Sequence, residues 1–387
     1  MLGWHQHLFY KHNDSYLYKD GINVEFTKQQ KTEIFTWAIE HTRLREETRP
    51  FFIFNGSHDI DFSGVHKVEH NTAFYFFEPL TYYGNRIGYQ DHILRFDIPN
   101  NVRAHELDSV ESYIVKNNLK NCKVYLPDRF AADYFKQVYN LDFEWYDPYF
   151  HAEAYKLNIL GRFIPHSFYQ KKITKKLWLG TWRYDPVRHY IIADLVSKNC
   201  HLQNNFSWFY QIKPDEIEQV MWCKVDNNTK TNFVNLNNAT PMNIDTKVEQ
   251  AVHYTNFYPP VQQTNKDPAA SYQESFCILV VETRVVQPWV NLSEKILHAI
   301  KNRKPFLLYA APHSIATLHD LGFKTFDQWW DESYDNIVDT QSRIQRINQI
   351  ADYINKLDIK NLQTIYKEMK PILLHNIGVL QKIQQRH

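Results

Sequence analysis

Short apolar and aromatic runs, each stopped by polar or turn-forming residues, dominate the first half of the chain. Arg49-Pro-Phe-Phe-Ile-Phe-Asn55 predicts a buried strand that runs into a polar turn, Gly56-Ser-His-Asp59. Residues 71–77 repeat the pattern and close on Glu78-Pro79, and residues 92–97 form a third run ending near a proline. Leu107, Val110, Tyr113 and Ile114 then recur at the spacing of one helical face, which predicts a helix over 106–118. A strand over 122–126, a helix over 130–139 and a strand over 142–146 follow. Strands alternating with helices imply β-α-β units and a largely parallel sheet.

A basic stretch, Lys171 to Lys176, separates this region from a second one that starts again with a strand over 177–180 and a helix over 187–198. Periodicity then fades from about 213 to 272, where Asn, Thr and Gln clusters and Pro259-Pro260 predict an excursion of loops and helices. Phe276-Cys-Ile-Leu-Val-Val281 is a continuous apolar run, the signature of a strand buried on both faces. A helix over 293–302, a strand over 305–310 and a helix over 314–321 come next, and residues 341–385 read as two or three further helices. The expected architecture is α/β: two Rossmann-like halves facing a cleft, with helices at the end of the chain. The halves are 1–170 and 171–335, and 336–387 packs back across both.

Composition narrows the chemistry. The 387 residues include only ten glycines, none of them arranged as GxGxxG or preceding a Lys-Ser or Lys-Thr pair, so a glycine-fingerprint dinucleotide site and a P-loop are excluded as readings. Any phosphate must be held by side chains and helix ends. The 44 basic and 43 acidic residues balance, against the basic excess usual for a nucleic-acid binder. Cys122, Cys200, Cys223 and Cys277 are widely spaced without a CxxC pair, the pattern of reduced thiols. No secretory leader and no run of about 18 apolar residues is visible, so a cytoplasmic protein without a membrane span is expected.

The segment from Phe276 onward carries the clearest chemistry. A buried strand ends at Val281-Glu282-Thr283, and Asn291-Leu-Ser-Glu-Lys295 opens the next helix. A strand end beside a helix start places free backbone N–H groups at the carboxyl edge of a parallel sheet, where the helix dipole favours an anion. Lys295 adds a full positive charge, and the carboxylate of Glu294 can accept hydrogen bonds from sugar hydroxyls. A nucleoside diphosphate-sugar asks for this combination. The same residues also fit a helix cap, with Ser293 as N-cap or Asn291 and Glu294 as a capping box. The two readings are compatible.

The run Phe276 to Thr283, then Leu292-Ser-Glu-Lys-Ile-Leu-His-Ala-Ile300, then Lys304-Pro-Phe-Leu-Leu308 resembles the donor half of GT-B glycosyltransferases, the α1,3-fucosyltransferases among them. Leu318 to Phe326, Trp329 to Asp335 and Gly180-Thr-Trp-Arg-Tyr-Asp-Pro-Val-Arg-His189 resemble uncharacterised glycosyltransferases of bacteriophages. The likeness covers 177–200 and 276–355. It implies a GT-B fold and transfer of a sugar from a UDP- or GDP-linked donor, a co-substrate rather than a bound cofactor. It places Ser293, Glu294 and Lys295 at the nucleotide-sugar site, Arg183 and Arg188 at the diphosphate and Glu282 near the sugar. For a phage protein the setting would be the host cytoplasm. Val-Glu-Thr stands here where the fucosyltransferases have Phe-Glu-Asn, and their glycine-rich stretch after the donor helix is missing.

His313 follows Pro312 in a turn that would sit at the mouth of the same crevice, and Asp331 and Asp335 are further acidic candidates. An inverting transferase needs a base to take the acceptor proton, and in the first half His58, Asp59, Asp61 and Glu78 qualify. Each also suits, and singly suits better, a polar turn satisfied by its own backbone. Asp59-Ile-Asp61 spells the DxD of metal-dependent enzymes, but outside the donor half, so no metal is expected. Tyr82-Tyr83, Trp208-Phe209-Tyr210 and Trp329-Trp330 could line an acceptor groove by stacking on sugar rings, or pack the core. The even charge favours a glycan acceptor over a hydroxylated base in phage DNA. A non-catalytic carbohydrate-binding or virion-associated protein is the alternative outside enzymology.

Overall fold

The computed structural model describes residues 7–12, 15–19, 49–55, 62, 70–76, 103–127, 129–145, 150, 154, 172–180, 186–208, 227–239, 269–282, 285–286 and 290–385. Two sheets organise them. The first has six strands in the order β2-β1-β3-β4-β5-β6. A hairpin of β1 (His7–His12) and β2 (Ser15–Lys19) pairs antiparallel, through β1, with β3 (Phe51–Asn55). Beyond it, β4 (Ala73–Phe76), β5 (Lys123–Leu126) and β6 (Asp142–Trp145) add in parallel. Helix α1 (His105–Lys116) links β4 to β5 and α2 (Arg129–Phe135) links β5 to β6. Leu107 and Val110 turn inward, as their spacing requires, and join Phe52, Phe74, Phe76, Val124, Phe135 and Phe143 in one core. Tyr139 ties this layer together: its hydroxyl accepts from the Ala104 N–H and donates to the Ala104 carbonyl at 2.7 and 2.9 Å.

The second sheet has four strands, all parallel, in the order β10-β9-β7-β8. They are β7 (Lys175–Gly180), β8 (Asn205–Ser207), β9 (Ser275–Val281) and β10 (Phe306–Tyr309). All seven residues of β9 are buried, the expected fate of a continuous apolar run at the centre of a sheet with helices on both faces. Helix α3 (Pro186–Ser197) joins β7 to β8, with α4 (Asn227–Ala239) packed on it. Helix α5 (Ala269–Glu274) leads into β9, α6 (Glu294–Lys301) joins β9 to β10, and α7 (Ser314–Asp320) follows β10. After a single 3-10 turn (Ser333–Asn336), the chain ends in α8 (Thr340–Lys356), α9 (Ile359–Glu368) and α10 (Lys370–Gln385).

These last three helices belong to the second sheet. Helix α8 lies against α3, β7 and β10, α9 against β7 and β9, and α10 against α6. Asp339 and Asp358 cap α8 and α9 by accepting the N–H groups of Ser342 and Asn361, each at 2.8 Å. The second core also recruits residues from before position 171. Phe150 packs edge-on against Phe323 at 5.8 Å, and the Ala154 carbonyl accepts from Gln384 Nε2 at 3.0 Å. The sheets therefore have separate cores, with the first-half segment around 150–154 built into the second.

Candidate functional site

Chain order fixes where the second sheet can open. From β7 the chain crosses through α3 to β8 on one side, whereas from β9 it crosses through α6 to β10 on the other. Adjacent crossovers that depart in opposite directions put their helices on opposite faces, and open α/β sheets bind ligands outside the carboxyl ends of the strands at such a switch point. Residues 181–185 follow β7 and residues 282–293 lead from β9 into α6 at this switch point. Arg183 lies outside the described residues, as do His58, Asp59, Asp61 and Glu78.

The second loop brings Glu282, Ser293, Glu294 and Lys295 together. Glu282 sits one residue beyond β9, and its N–H still bonds the Tyr309 carbonyl at 2.9 Å. Its side chain is fully buried and accepts from the Ser293 N–H at 3.1 Å and from the Ser293 hydroxyl. Ser293 is the N-cap of α6: its Oγ accepts from the Lys295 N–H at 3.4 Å and from Lys295 Nζ at 3.0 Å. Lys295 Nζ also donates to Glu294 Oε1 at 3.0 Å and lies 3.8 Å from Glu282. The helix cap and the charged cluster are thus one object. The amides of Ser293 and Lys295, which an incoming phosphate would need, are already bonded to the protein's own oxygens. The ammonium of Lys295 and the carboxylate of Glu294 remain partly exposed at 30% and 41% of their side chains.

The charges follow from position. Burial pushes the Glu282 carboxyl above the usual carboxylate range, against the pull of Lys295 and of both Ser293 hydrogen bonds. Burial acts in the same direction on Glu294, but the charge and hydrogen bond of Lys295 outweigh it and hold Glu294 down at about 2. Burial also lowers His298, one turn into α6, to about 4, so it is a neutral imidazole at pH 7. At that pH the exposed rim carries one firm anion and one cation side by side, able to meet a ligand that offers both hydroxyls and phosphate.

The other expected site residues take structural positions. Arg188 is 6% exposed in the first turn of α3, a buried side chain rather than an open phosphate clamp. His313 adopts a left-handed conformation (φ 65°) and donates its N–H to the Asp335 carbonyl at 2.8 Å. Its ring stacks on Phe130 of α2 at 4.3 Å, which brings the segment following β5 against the segment following β10. The Asp335 carboxylate caps α7 from twenty residues away, accepting the N–H groups of Ile315 and Ala316 at 2.9 and 3.0 Å. Asp331 is exposed, bonded to Ser333 and paired with Arg346 at 2.8 Å. Trp208 and Trp330 are core residues at 0% and 7% exposure, not groove lining; Tyr82, Tyr83, Phe209 and Tyr210 lie outside the described residues.

Two groups that shape this edge carry no local sequence signal. Arg343 is buried against backbone carbonyls at the strand ends. Glu332 is buried and accepts from the Thr325 hydroxyl and the Phe326 N–H; burial raises it to about 7. Among the described residues no helix is long and apolar enough to cross a membrane, and no group of three or more His, Cys, Asp or Glu side chains could hold a metal ion. No protein family, curated protein or solved structure matches the chain.

Proposed function

We propose that this protein is a glycosyltransferase of GT-B type that moves a sugar from a nucleoside-diphosphate donor to a hydroxyl acceptor, a glycan in preference to nucleic acid. The observation that carries the reading is the switch point between β7 and β9, with Lys295 and Glu294 exposed on its rim. The sequence resemblance over 177–200 and 276–355, which includes these two residues, also supports it. In this reading Lys295 meets the diphosphate, and its charge, with the positive end of α6, stabilises the negative charge that grows on the leaving group. Glu294, held ionised, accepts hydroxyls of the ribose or the sugar. Glu282 is bonded to Ser293 and supports the rim from behind rather than touching the sugar. Arg183, just after β7, extends the phosphate subsite. The Phe130–His313 stack supports an acceptor reaching the crevice from the first sheet, where His58, Asp59 or Glu78 would take its proton without a metal.

Calorimetric titration with UDP and GDP tests the reading, alongside a thermal-shift panel of nucleotide sugars, because a ligand that binds only the native state raises apparent stability. One of the two nucleotides should bind. Lys295→Ala should weaken that binding about tenfold or more, the loss of one charge-assisted contact, with the melting temperature little changed. Binding by neither nucleotide, or a Lys295→Ala protein that unfolds while its affinity is intact, would leave α6 a capped helix and nothing more.

A further inference from the structure

Where β9 and β10 part at their carboxyl ends, the ladder between them stops with the Glu282 N–H on the Tyr309 carbonyl. The carbonyls just beyond would be buried without partners, a cost that folded proteins avoid. Arg343, 1% exposed in the first turn of α8, reaches into this gap. Its Nε donates to the Ala310 carbonyl at 3.0 Å, directly after β10, and Nη2 to the Val285 carbonyl at 2.8 Å, three residues after Glu282. Nη1 donates to the carbonyls of Ile337 at 2.6 Å and Val338 at 3.0 Å, and Nη2 also to Thr340 Oγ1 at 3.3 Å. A guanidinium has five N–H donors in a rigid plane, and here five acceptors meet them. Four are backbone carbonyls, drawn from three chain segments that end at the same edge. No carboxylate makes an ion pair with this group among the described residues, so the arginine is kept for its geometry.

We infer that Arg343 is a positioning residue for the nucleotide site: it fixes the course of the β9–α6 loop and through it the stations of Glu282, Ser293 and Lys295. The inference rests on the donor-site reading given above, and part of its test does not. A lysine at this position keeps the charge but offers one point donor group in place of a planar fork, and a glutamine offers a small fork without charge. Three proteins are compared with wild type: Arg343→Lys, Arg343→Gln and, as a control, Leu362→Ala, which opens a fully buried site in α9, a helix that bonds to the chain just before β7 and β10 rather than at their carboxyl ends. All are measured well below their melting temperatures.

For a positioning residue, the dissociation constant for UDP or GDP, whichever wild type binds, should rise about tenfold or more in Arg343→Gln. It should recover in part in Arg343→Lys and stay at the wild-type value in Leu362→Ala even though that protein melts lower. Amide hydrogen exchange, which needs no ligand, should quicken at residues 285–292 in Arg343→Lys before it does in β7 and β8. If Arg343→Gln does not fold, the Arg343→Lys affinity and exchange pattern decide alone. Exchange that quickens evenly across the sheet, or an affinity that tracks melting temperature through all three variants, would overturn the inference. Failure of wild type to bind either nucleotide would sink the donor-site reading, and the exchange pattern would then show whether Arg343 still holds the loop.

Discussion

The two sheets are built from similar strand-helix-strand units, yet the chain passes through them differently. In the first, β3, β4, β5 and β6 lie side by side in chain order, so every parallel crossover steps the same way. In the second, the chain starts at β7, moves outward to β8, then returns to place β9 on the other side of β7 before moving outward again to β10. Strand order alone gives the second sheet a topological switch point, and gives none to the described parallel pairs of the first. Buried acids are used heavily beside the second sheet: Glu282, Glu332 and Asp335 each hold a backbone N–H of a turn or helix start, whereas the described part of the first half buries Glu106. A fold that gives up a continuous ladder at one edge must satisfy the exposed backbone there with side chains.

The comparison can be broken most forcefully through the cores. Phe74 and Ile278 are buried in separate clusters. Replacing Phe74 by Ala should cost about 3–5 kcal/mol and replacing Ile278 by Ala about 2–5 kcal/mol. If the sheets are separate cooperative units, Phe74→Ala should speed hydrogen exchange in β3–β6 and leave β7–β10 protected, with Ile278→Ala doing the reverse. A single transition shared by both variants would merge the two units.

The buried acids give the next largest effect. Glu332 titrates at about 7 in the folded chain against an ordinary value near 4.5. The native state therefore prefers the neutral acid, and this contribution is complete below pH 4.5 and lost as pH rises through 7. Glu332→Gln, measured against wild type by denaturant unfolding from pH 5 to 8, should remove that slope. The difference has a ceiling of about 3 kcal/mol for a shift of this size. Parallel curves would mean that Glu332 is not strained by its burial.

Gly180 is the last residue of β7, at the switch point itself. A Cβ there would come within 2.2 Å of the Trp178 ring, which is held by its Nε1 bond to Ser271 at 3.2 Å and by an edge contact with Tyr272. Gly180→Ala should cost about 1–3 kcal/mol by overpacking, read as a lower denaturation midpoint for the second unit. The smallest effect belongs to the surface. Asp331→Asn removes an exposed ion pair with Arg346 and should change stability by less than about 1 kcal/mol in urea unfolding.

What could be read ahead of the structure was what short stretches of chain decide for themselves. The apolar run at 276–281 could only be a central strand, and Ser293-Glu-Lys could only begin a helix, so β9 and α6 appear within a residue of their expected bounds. Helix α4 shows how such a signal hides. Its buried residues Thr229, Asn232, Phe233 and Leu236 follow the helical spacing, but two of the four are polar, so an apolar count passes over them. The β1–β2 hairpin carries a signal too short to stand out: Phe9 and Tyr10 pair with Tyr18 and Leu17 across a two-residue turn, but Leu8 and Tyr16 meet lysines. Arg343 and Asp335 act on partners 58 and 20 residues away, and spacing says nothing about contacts of that kind. The same limit applies within the site. Ser293 as a cap was readable, whereas the Glu282 carboxylate on its amide depends on how far strand and helix diverge.

The amino-terminal hairpin has a practical consequence for anyone who trims this chain. Strand β3, with the sequence Phe-Phe-Ile-Phe-Asn, meets β4 on one flank and β1 on the other. A fragment starting after residue 19 would leave that second flank open, an aromatic ribbon with unpaired amides and carbonyls ready to recruit an identical neighbour. Such a fragment should precipitate or form filaments, and a charged or proline substitution along the bare strand should keep it in solution.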